Sequence, residues 1–559
     1  MQKTCANQWC RQPFEITGGD LEFYEKVSPV IHGKKELIPP PTLCPECRFQ
    51  RRMIFRREHA LRNRICSACQ RGIVSVHGQE APYPVYCLKC WWGDGWDPCS
   101  YGKEFDPSRS FIGQFGELLQ SVPQIAMMND NGVGSENCEY CQDFAFGKNC
   151  YLMTGAWEMQ DCYYCDYNCL QSRLLCDCIS THASEIAYAC MASQRLYRSA
   201  YLRHCESCSD CFFGVELKGC RNCIGCINLR QKDYCIFNEQ YAPEEYEIRR
   251  RAFHLNARSG VEKLQQEFEQ WILRFPRKAA HLAHCENCLG DELFNCKETL
   301  GFQFDGAEYC KYIIHGDSPK NCYDVSQTGR CQWCYEGCTP DNSYMTHFTT
   351  WCWKDRDVLY SDNCHSCDHL FGCIGLKHQQ YCVLNRPYTR GEYERLVGKI
   401  IERMRTDGEW GEFFPLSLSP YCYNETNAQE SFPLSKEEAA LRGLKWREHA
   451  AKVSIESTYV LPDAIEDVPD DIPQTLLACH HCQKHFKILP QELKFYRELS
   501  IPIPSLCYEC RYTERLRFRN PRRLWTRECA KCHRPITTSY APERPEIVYC
   551  ESCYLKEVY

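Results

Sequence analysis

The chain of 559 residues lacks the long apolar run of a membrane span; no stretch approaches roughly 18 consecutive apolar residues. It also lacks the signatures of familiar catalysis. There is no P-loop, no Gly-x-Ser-x-Gly and no His-Glu-x-x-His, and Gly132-Val133-Gly134 is only a fragment of a nucleotide loop. His204-Cys205-Glu206 and His284-Cys285-Glu286 mimic the His-x-Glu of zinc deaminases, but no Pro-Cys-x-x-Cys follows either at a useful distance, so both histidines read as structural. No catalytic residue is assigned. An excess of basic charge is missing too: 66 Lys and Arg stand against 73 Asp and Glu, a net charge of −7, so the protein as a whole is not built to bind polyanions. Nor is it a disordered tail, since 44% hydrophobic and 13% aromatic residues can fill several cores.

Cysteine is what the chain has instead, 47 residues of it. It begins and ends with the same eight-cysteine pattern: Cys5/Cys10, Cys44/Cys47, Cys66/Cys69 and Cys87/Cys90, then Cys479/Cys482, Cys507/Cys510, Cys529/Cys532 and Cys550/Cys553. From Cys44 to Cys90 one offset of 463 maps every cysteine, and carries Arg48/Arg511, Arg52/Arg515, Phe55/Phe518 and Arg56/Arg519 with it. Upstream the offset is 472, aligning Phe23/Phe495 and Tyr24/Tyr496, so the first copy has a loop nine residues longer. Two thiolates separated by two residues grip one metal from a tight knuckle, and two knuckles complete the S4 tetrahedron that Zn2+ prefers. Each module therefore has two sites, and four zinc ions are expected, held by the sixteen cysteines above taken in sequential fours. Cross-braced ligation remains open. A disulfide scaffold suits short secreted chains; here Met1-Gln-Lys-Thr-Cys5 shows no apolar leader, and zinc in a cytoplasmic setting is the expectation.

The first half of each module resembles the family described as a probable zinc-ribbon domain, of treble-clef type. The residues that carry the likeness are Cys10, Phe14, Asp20-Leu21-Glu22-Phe23-Tyr24, Pro40-Pro41 and Cys44-Pro45-Glu46-Cys47-Arg48, and at the other end Cys482, Phe486, Phe495-Tyr496 and Cys507-Tyr508-Glu509-Cys510-Arg511. The whole chain is also similar to uncharacterised cysteine-rich bacterial proteins with segments such as Phe413-Phe414-Pro415 and Tyr423-Asn424-Glu425-Thr426. The resemblance implies zinc binding and a cytoplasmic setting, and it supplies no activity.

Basic charge is local. Arg48, Arg51, Arg52, Arg56 and Arg57 follow Cys47, and Arg511, Arg515, Arg517, Arg519, Arg522 and Arg523 follow Cys510. A treble clef starts a helix at the second ligand pair, and no breaker intervenes from Arg48 to His59, so the first stretch is expected to be helical, with Met53 and Phe55 as anchors and arginines outward. Asn520-Pro521 stops the second near Arg519. Arg48, Arg52, Arg56, Arg511, Arg515 and Arg519 are the candidate nucleic-acid contacts, guanidinium forks on phosphate with Phe55, Phe518 and Trp525 to stack on bases. The competing reading pairs the same arginines with carboxylates of this acidic chain.

Between the modules, a shift of 147 maps Cys138/Cys285, Cys205/Cys352, Cys220/Cys367, Cys226/Cys373 and Cys235/Cys382, with Tyr234/Tyr381 and Tyr246/Tyr393, so 137–250 and 284–398 are tandem copies. Within them cysteines step by fifteen (Cys190, Cys205, Cys220, Cys235) or twelve (Cys138, Cys150, Cys162). Such steps suit a narrow parallel β-solenoid with an inward cysteine ladder. Further metal in this region stays open; an iron–sulfur reading lacks the proline and the shorter last gap of the ferredoxin pattern. Helices are expected from Glu244 to about Phe275 and from Gly391 to about Met404, covering solenoid ends. Trp91-Trp92-Gly93-Asp94-Gly95-Trp96 reads as core packing.

The expected fold is multidomain and β-rich α+β: zinc-ribbon modules flanking a duplicated cysteine-rich β-solenoid with amphipathic helices. Its segments are a double zinc-ribbon module (1–98), a connector with a short helix (99–136), repeat copy 1 plus helix (137–283), repeat copy 2 plus helix (284–414), a connector with an acidic linker (415–475) and a second double zinc-ribbon module (476–559). The expected function is RNA or other nucleic-acid binding through the arginine segments. The alternatives are a protein–protein scaffold and a thiol redox or metal-storage protein. No membrane partner is expected.

Overall fold

The computed structural model describes residues 1–448 and 459–558. The chain divides into two compact units, Met1–Met128 with Leu282–Glu448, and Asn129–His281 with the described part of His449–Tyr559. Each unit combines one terminal cysteine module with one of the two middle copies. The first module belongs with the second copy, and the last module with the first copy.

Each middle copy is a ladder of eleven strands, nearly all parallel and mostly in sequence order. The register gives the step. Arg221 lies opposite Asp233, Cys223 opposite Cys235 and Ile224 opposite Ile236, so each strand pairs with the segment twelve residues on. The second ladder starts with shorter steps of eleven, Leu282 opposite Leu293, and moves to twelve between Leu300 and Gly301. A bulge in the first ladder between Thr154 and Ala156 adds one residue.

A second period lies inside the first. Every third residue from Asp177 to Phe237, and from Gly306 to Leu384, has a positive φ in the left-handed region. Each twelve-residue step thus holds four left-handed corners joined by short extended sides. Left-handed backbone costs most residues about 1–2 kcal/mol, and here it is offset by regular backbone pairing in both directions. Ser209 N donates to Cys220 O at 3.0 Å and Asp210 N to Tyr197 O at 3.0 Å. The fifteen-residue spacing read from the sequence is corrected accordingly: it is one twelve-residue step plus one three-residue side.

The residue after each corner points inward, and this is where the cysteines sit. Cys205, Cys208, Cys211, Cys220, Cys223 and Cys226 are all buried. Each thiol donates to the carbonyl two residues back, and Cys208, Cys211, Cys220 and Cys223 also to the one nine residues on; Cys208 reaches Glu206 O at 3.4 Å and Leu217 O at 3.6 Å. Hydroxyls at equivalent positions make the same pair of bonds, Thr299 to Lys297 O (2.9 Å) and Ala307 O (3.1 Å), and Ser343 to Asp341 O (3.1 Å) and Cys352 O (3.4 Å). The inward position therefore selects a small side chain with one weak donor, which describes cysteine.

The helices after the ladders differ from expectation in detail. The first copy is followed by two helices, Pro243–Arg251 and Arg258–Trp271, not one, and the second by a longer one, Arg390–Asp407. Tyr246 and Tyr393, related by the 147 shift, pack edge-on against Tyr234 and Tyr381 of the last rungs at 5.5 and 5.7 Å. The acidic linker lies against the second of these helices and the turn before it. Ser259 Oγ donates to Asp463 at 2.6 Å and Asn256 Nδ2 to Glu466 at 2.9 Å.

Candidate metal centres and the arginine docks

Each tetrad is assembled from a hairpin knuckle and a helix start. In the first, strands Gln2–Thr4 and Pro13–Glu15 carry Cys5 and Cys10, while Cys44 caps the helix Pro45–Met53 and Cys47 lies in its first turn. The other three repeat this plan, with helices Leu88–Trp92, Tyr508–Leu516 and Glu551–Val558. The groups Cys5/Cys10/Cys44/Cys47, Cys66/Cys69/Cys87/Cys90, Cys479/Cys482/Cys507/Cys510 and Cys529/Cys532/Cys550/Cys553 each bring four Sγ atoms within 4.8 Å of one another. The cysteines thus gather in sequential fours, and the cross-braced grouping is not the one the fold brings together.

The donor set fits a tetrahedral cation. A metal–sulfur bond of about 2.3 Å implies sulfur–sulfur edges of about 3.8 Å; Cys10–Cys44 measures 3.7, Cys69–Cys87 3.9, Cys482–Cys507 3.6 and Cys532–Cys550 3.8 Å. Backbone amides already point at sulfur, Cys44 N to Cys5 (3.3 Å), Cys87 N to Cys66 (3.2 Å) and Cys550 N to Cys529 (3.2 Å). The bond from Cys47 chiefly draws Cys44 down to about 5, while Cys47 itself is pushed up, first by that same bond and then by burial. Four crowded thiols resist a second ionisation, and a divalent cation removes that resistance.

The candidate nucleic-acid residues are placed differently from the outward arginine helix read from the sequence. Helix Pro45–Met53 ends well before His59. Arg48 and Arg52 lie one turn apart on its inner face, and both are buried, as is Arg56 beyond its end. Arg48 Nη2 lies 2.9 Å from Asp324 Oδ2, and Arg52 Nη1 donates to Asp324 Oδ1 at 3.2 Å. Arg51 bridges Glu336 (2.9 Å) and Glu412 (2.8 Å). Arg56 pairs with Glu58, donates to Thr339 Oγ1 at 2.6 Å and stacks over Trp351 at 4.7 Å.

The last module repeats the arrangement on the first ladder. Arg511 Nε donates to Asp177 Oδ2 at 2.7 Å and Arg515 Nη1 lies 2.8 Å from Asp177 Oδ1. Arg511 also donates to Leu506 O at 2.9 Å, as Arg48 does to Leu43 O at 2.6 Å. Arg519 is half-buried with its guanidinium 5.3 Å from the Tyr167 ring. Asp177 and Asp324 are themselves related by the 147 shift, as are Tyr188 and Tyr335, which contact Tyr496 (5.6 Å) and Tyr24 (5.1 Å). Burial alone would push Arg48 and Arg511 down, but Asp324 and Asp177 hold both well above the usual arginine range. The sequence signals for these docks were the spacing of four between paired arginines and the aspartate kept under the shift.

The tryptophan turn is a cation cage. Lys377 Nζ sits 4.5, 5.2 and 5.7 Å from the ring centroids of Trp91, Trp96 and Trp92, and donates to Trp91 O. Asp357, Asp368 and His369 form a further group within ligand distance, half-exposed. Among the described residues, three or more ladder thiols nowhere converge as the tetrads do, and no helix is long and apolar enough to cross a membrane.

No family model and no curated protein matches the chain. The assignment therefore rests on the geometry of the tetrads and docks.

Proposed function

We propose that the protein is a zinc-stapled binding scaffold: two narrow, four-cornered β-solenoids, each clamped by a zinc-ribbon module, offering their flanks to a protein partner. The observation that carries this reading is the duplicated dock, Arg48 and Arg52 on Asp324 and Arg511 and Arg515 on Asp177. It commits the arginines to holding module on ladder. For them to reach phosphate, buried ion pairs would have to open, leaving charges in a dry interior at about 3–5 kcal/mol per pair. Zinc suits the all-thiolate donor set, and its part is to hold hairpin and helix start together so that Arg48 or Arg511 meets its aspartate.

The flanks suit a protein partner because their charges are stacked and neutralised in register. Lys297 bonds Glu286 (3.1 Å), and Lys320 bonds Glu308 (2.9 Å). In the other unit Asn137 donates to Asn149 and Asn149 to Asp161, both at 3.0 Å. Elemental analysis of protein purified together with whatever co-purifies tests the reading. Four zinc ions per chain, with a protein partner retained at moderate salt, are expected. Bound RNA that is lost steeply with salt, and lost again when Arg52 and Arg515 are neutralised in a folded protein, would replace the scaffold by nucleic-acid binding.

A further inference from the structure

Every ladder cysteine is buried except two. Cys285 and Cys288, in the first turn of the second ladder, are only half-buried, and their neighbours His284, Glu286, Asn287 and Leu289 are exposed. Their counterparts under the 147 shift, Cys138 and Cys141, are completely enclosed in the other ladder. The exposure is therefore a property of this turn and not of the repeat.

The two thiols occupy inward positions on successive sides, with left-handed corners at His284 and Asn287. They stand three residues apart, on either side of one corner. The turn is one residue shorter than those further along, Ala283 lying opposite Phe294. Cys285 donates to Leu293 O at 3.3 Å and Ala283 O at 3.4 Å, whereas Cys288 holds one carbonyl, Glu286 O, at 3.3 Å. Burial nonetheless keeps the Cys288 pKa above the ordinary thiol value.

We propose that Cys285 and Cys288 form a redox-modifiable dithiol that exchanges with a small disulfide of the glutathione class and closes to an intramolecular disulfide at the open turn of the second ladder. The Cys285 thiolate attacks one sulfur of the small disulfide, forming a mixed disulfide and releasing one small thiol. The Cys288 thiolate then attacks Cys285 Sγ, forming the Cys285–Cys288 bond and releasing the second small thiol. Two protein thiols are oxidised, one disulfide is reduced, and the two protons pass to the released thiolates. The product ties together the turn beside the terminal strand Leu282–Ala283, an edge whose fraying would expose unpaired backbone.

The test uses the full-length protein with its metal retained. It is equilibrated in glutathione buffers of graded oxidised-to-reduced ratio, quenched in acid, alkylated, digested and read by mass spectrometry, with metal content measured on the same samples. The peptide carrying Cys285 and Cys288 is expected to lose two hydrogens at a single midpoint, reversibly, with metal content unchanged. In native protein the pair should alkylate roughly tenfold or more faster than Cys138 and Cys141. Cys288→Ser should stop at a glutathione adduct on Cys285, with the wild-type circular dichroism spectrum as its check on folding. The proposal is overturned if the pair stays reduced at ratios that already strip the tetrads of metal, if it alkylates no faster than Cys138 and Cys141, or if Cys288→Ser yields the same product as wild type. Metal content and partner retention are separate readouts, so failure here leaves the scaffold reading standing.

Discussion

At the residue scale the molecule turns on buried charge. Asp324 receives two guanidinium groups in one unit and Asp177 two in the other. Removing one partner of such a pair leaves an uncompensated charge in the interior. Arg52→Ala and Arg515→Ala are therefore each expected to cost about 3–5 kcal/mol in denaturant unfolding, whereas replacing Arg52 and Asp324 together by apolar residues of similar volume recovers much of the loss. A single-site cost below about 1 kcal/mol would show that the docks are not what holds module to ladder. His77 supplies a pH test. Its ring bonds Tyr83 OH at 2.8 Å and Ile125 O at 3.1 Å, and burial, reinforced by Arg57 and Arg64, brings its pKa down to about 3. A histidine held neutral stabilises the fold above its unfolded value near 6.5, and that stability is lost as pH falls toward the folded value. Between pH 7 and 4.5 the wild type should lose about 3 kcal/mol relative to a His77→Gln variant; equal acid sensitivity of the two would refute the assignment. None of this was readable from composition. The arginines were visible, but which side of the helix they occupied depended on carboxylates far away in the chain.

At the scale of elements, two kinds of part meet. The ladder was legible in outline, because steps of twelve and fifteen already excluded helical spacing. The three-residue side was hidden because corners are filled by residues as different as Tyr201, Arg198 and Asp210, so no residue type marks them. What marks the repeat is the inward position, where size and a weak donor matter. Cys223→Ser should accordingly be milder than Cys223→Leu, which overpacks the bore and is expected to cost about 1–3 kcal/mol; the reverse order in thermal unfolding would rule out the inward assignment. The helix Pro45–Met53 depends on its tetrad, since Cys44 is its cap and Cys47 precedes Arg48. Stripping metal with a chelator should expose the docks to protease and lower the melting temperature in parallel with metal loss. Unchanged unfolding after complete removal would mean that the tetrads hold no structural metal.

For the whole molecule, two sequence duplications become one structural unit occurring twice. The offsets of 463 and 147 were found independently, yet Arg48, Arg52 and Asp324 correspond as a set to Arg511, Arg515 and Asp177. The pairing is not the one that chain proximity suggests, because the first module docks on the second ladder and the last module on the first. Deleting 476–559 should therefore raise amide hydrogen exchange across 137–250 and leave 284–398 nearly unchanged, while deleting 1–98 should do the opposite. Protection lost from the ladder nearest in sequence would contradict the pairing.

The amino-acid order alone determined the sixteen tetrad cysteines, both duplications and the repetitive β character, because ligand spacing and hydrophobic period are local properties that survive without three-dimensional information. Only the tertiary structure decided which module meets which ladder, and that the arginines face inward. Those outcomes depend on pairing charges separated by more than two hundred residues, and a guanidinium reads the same in sequence whether its carboxylate lies beside it or across the fold.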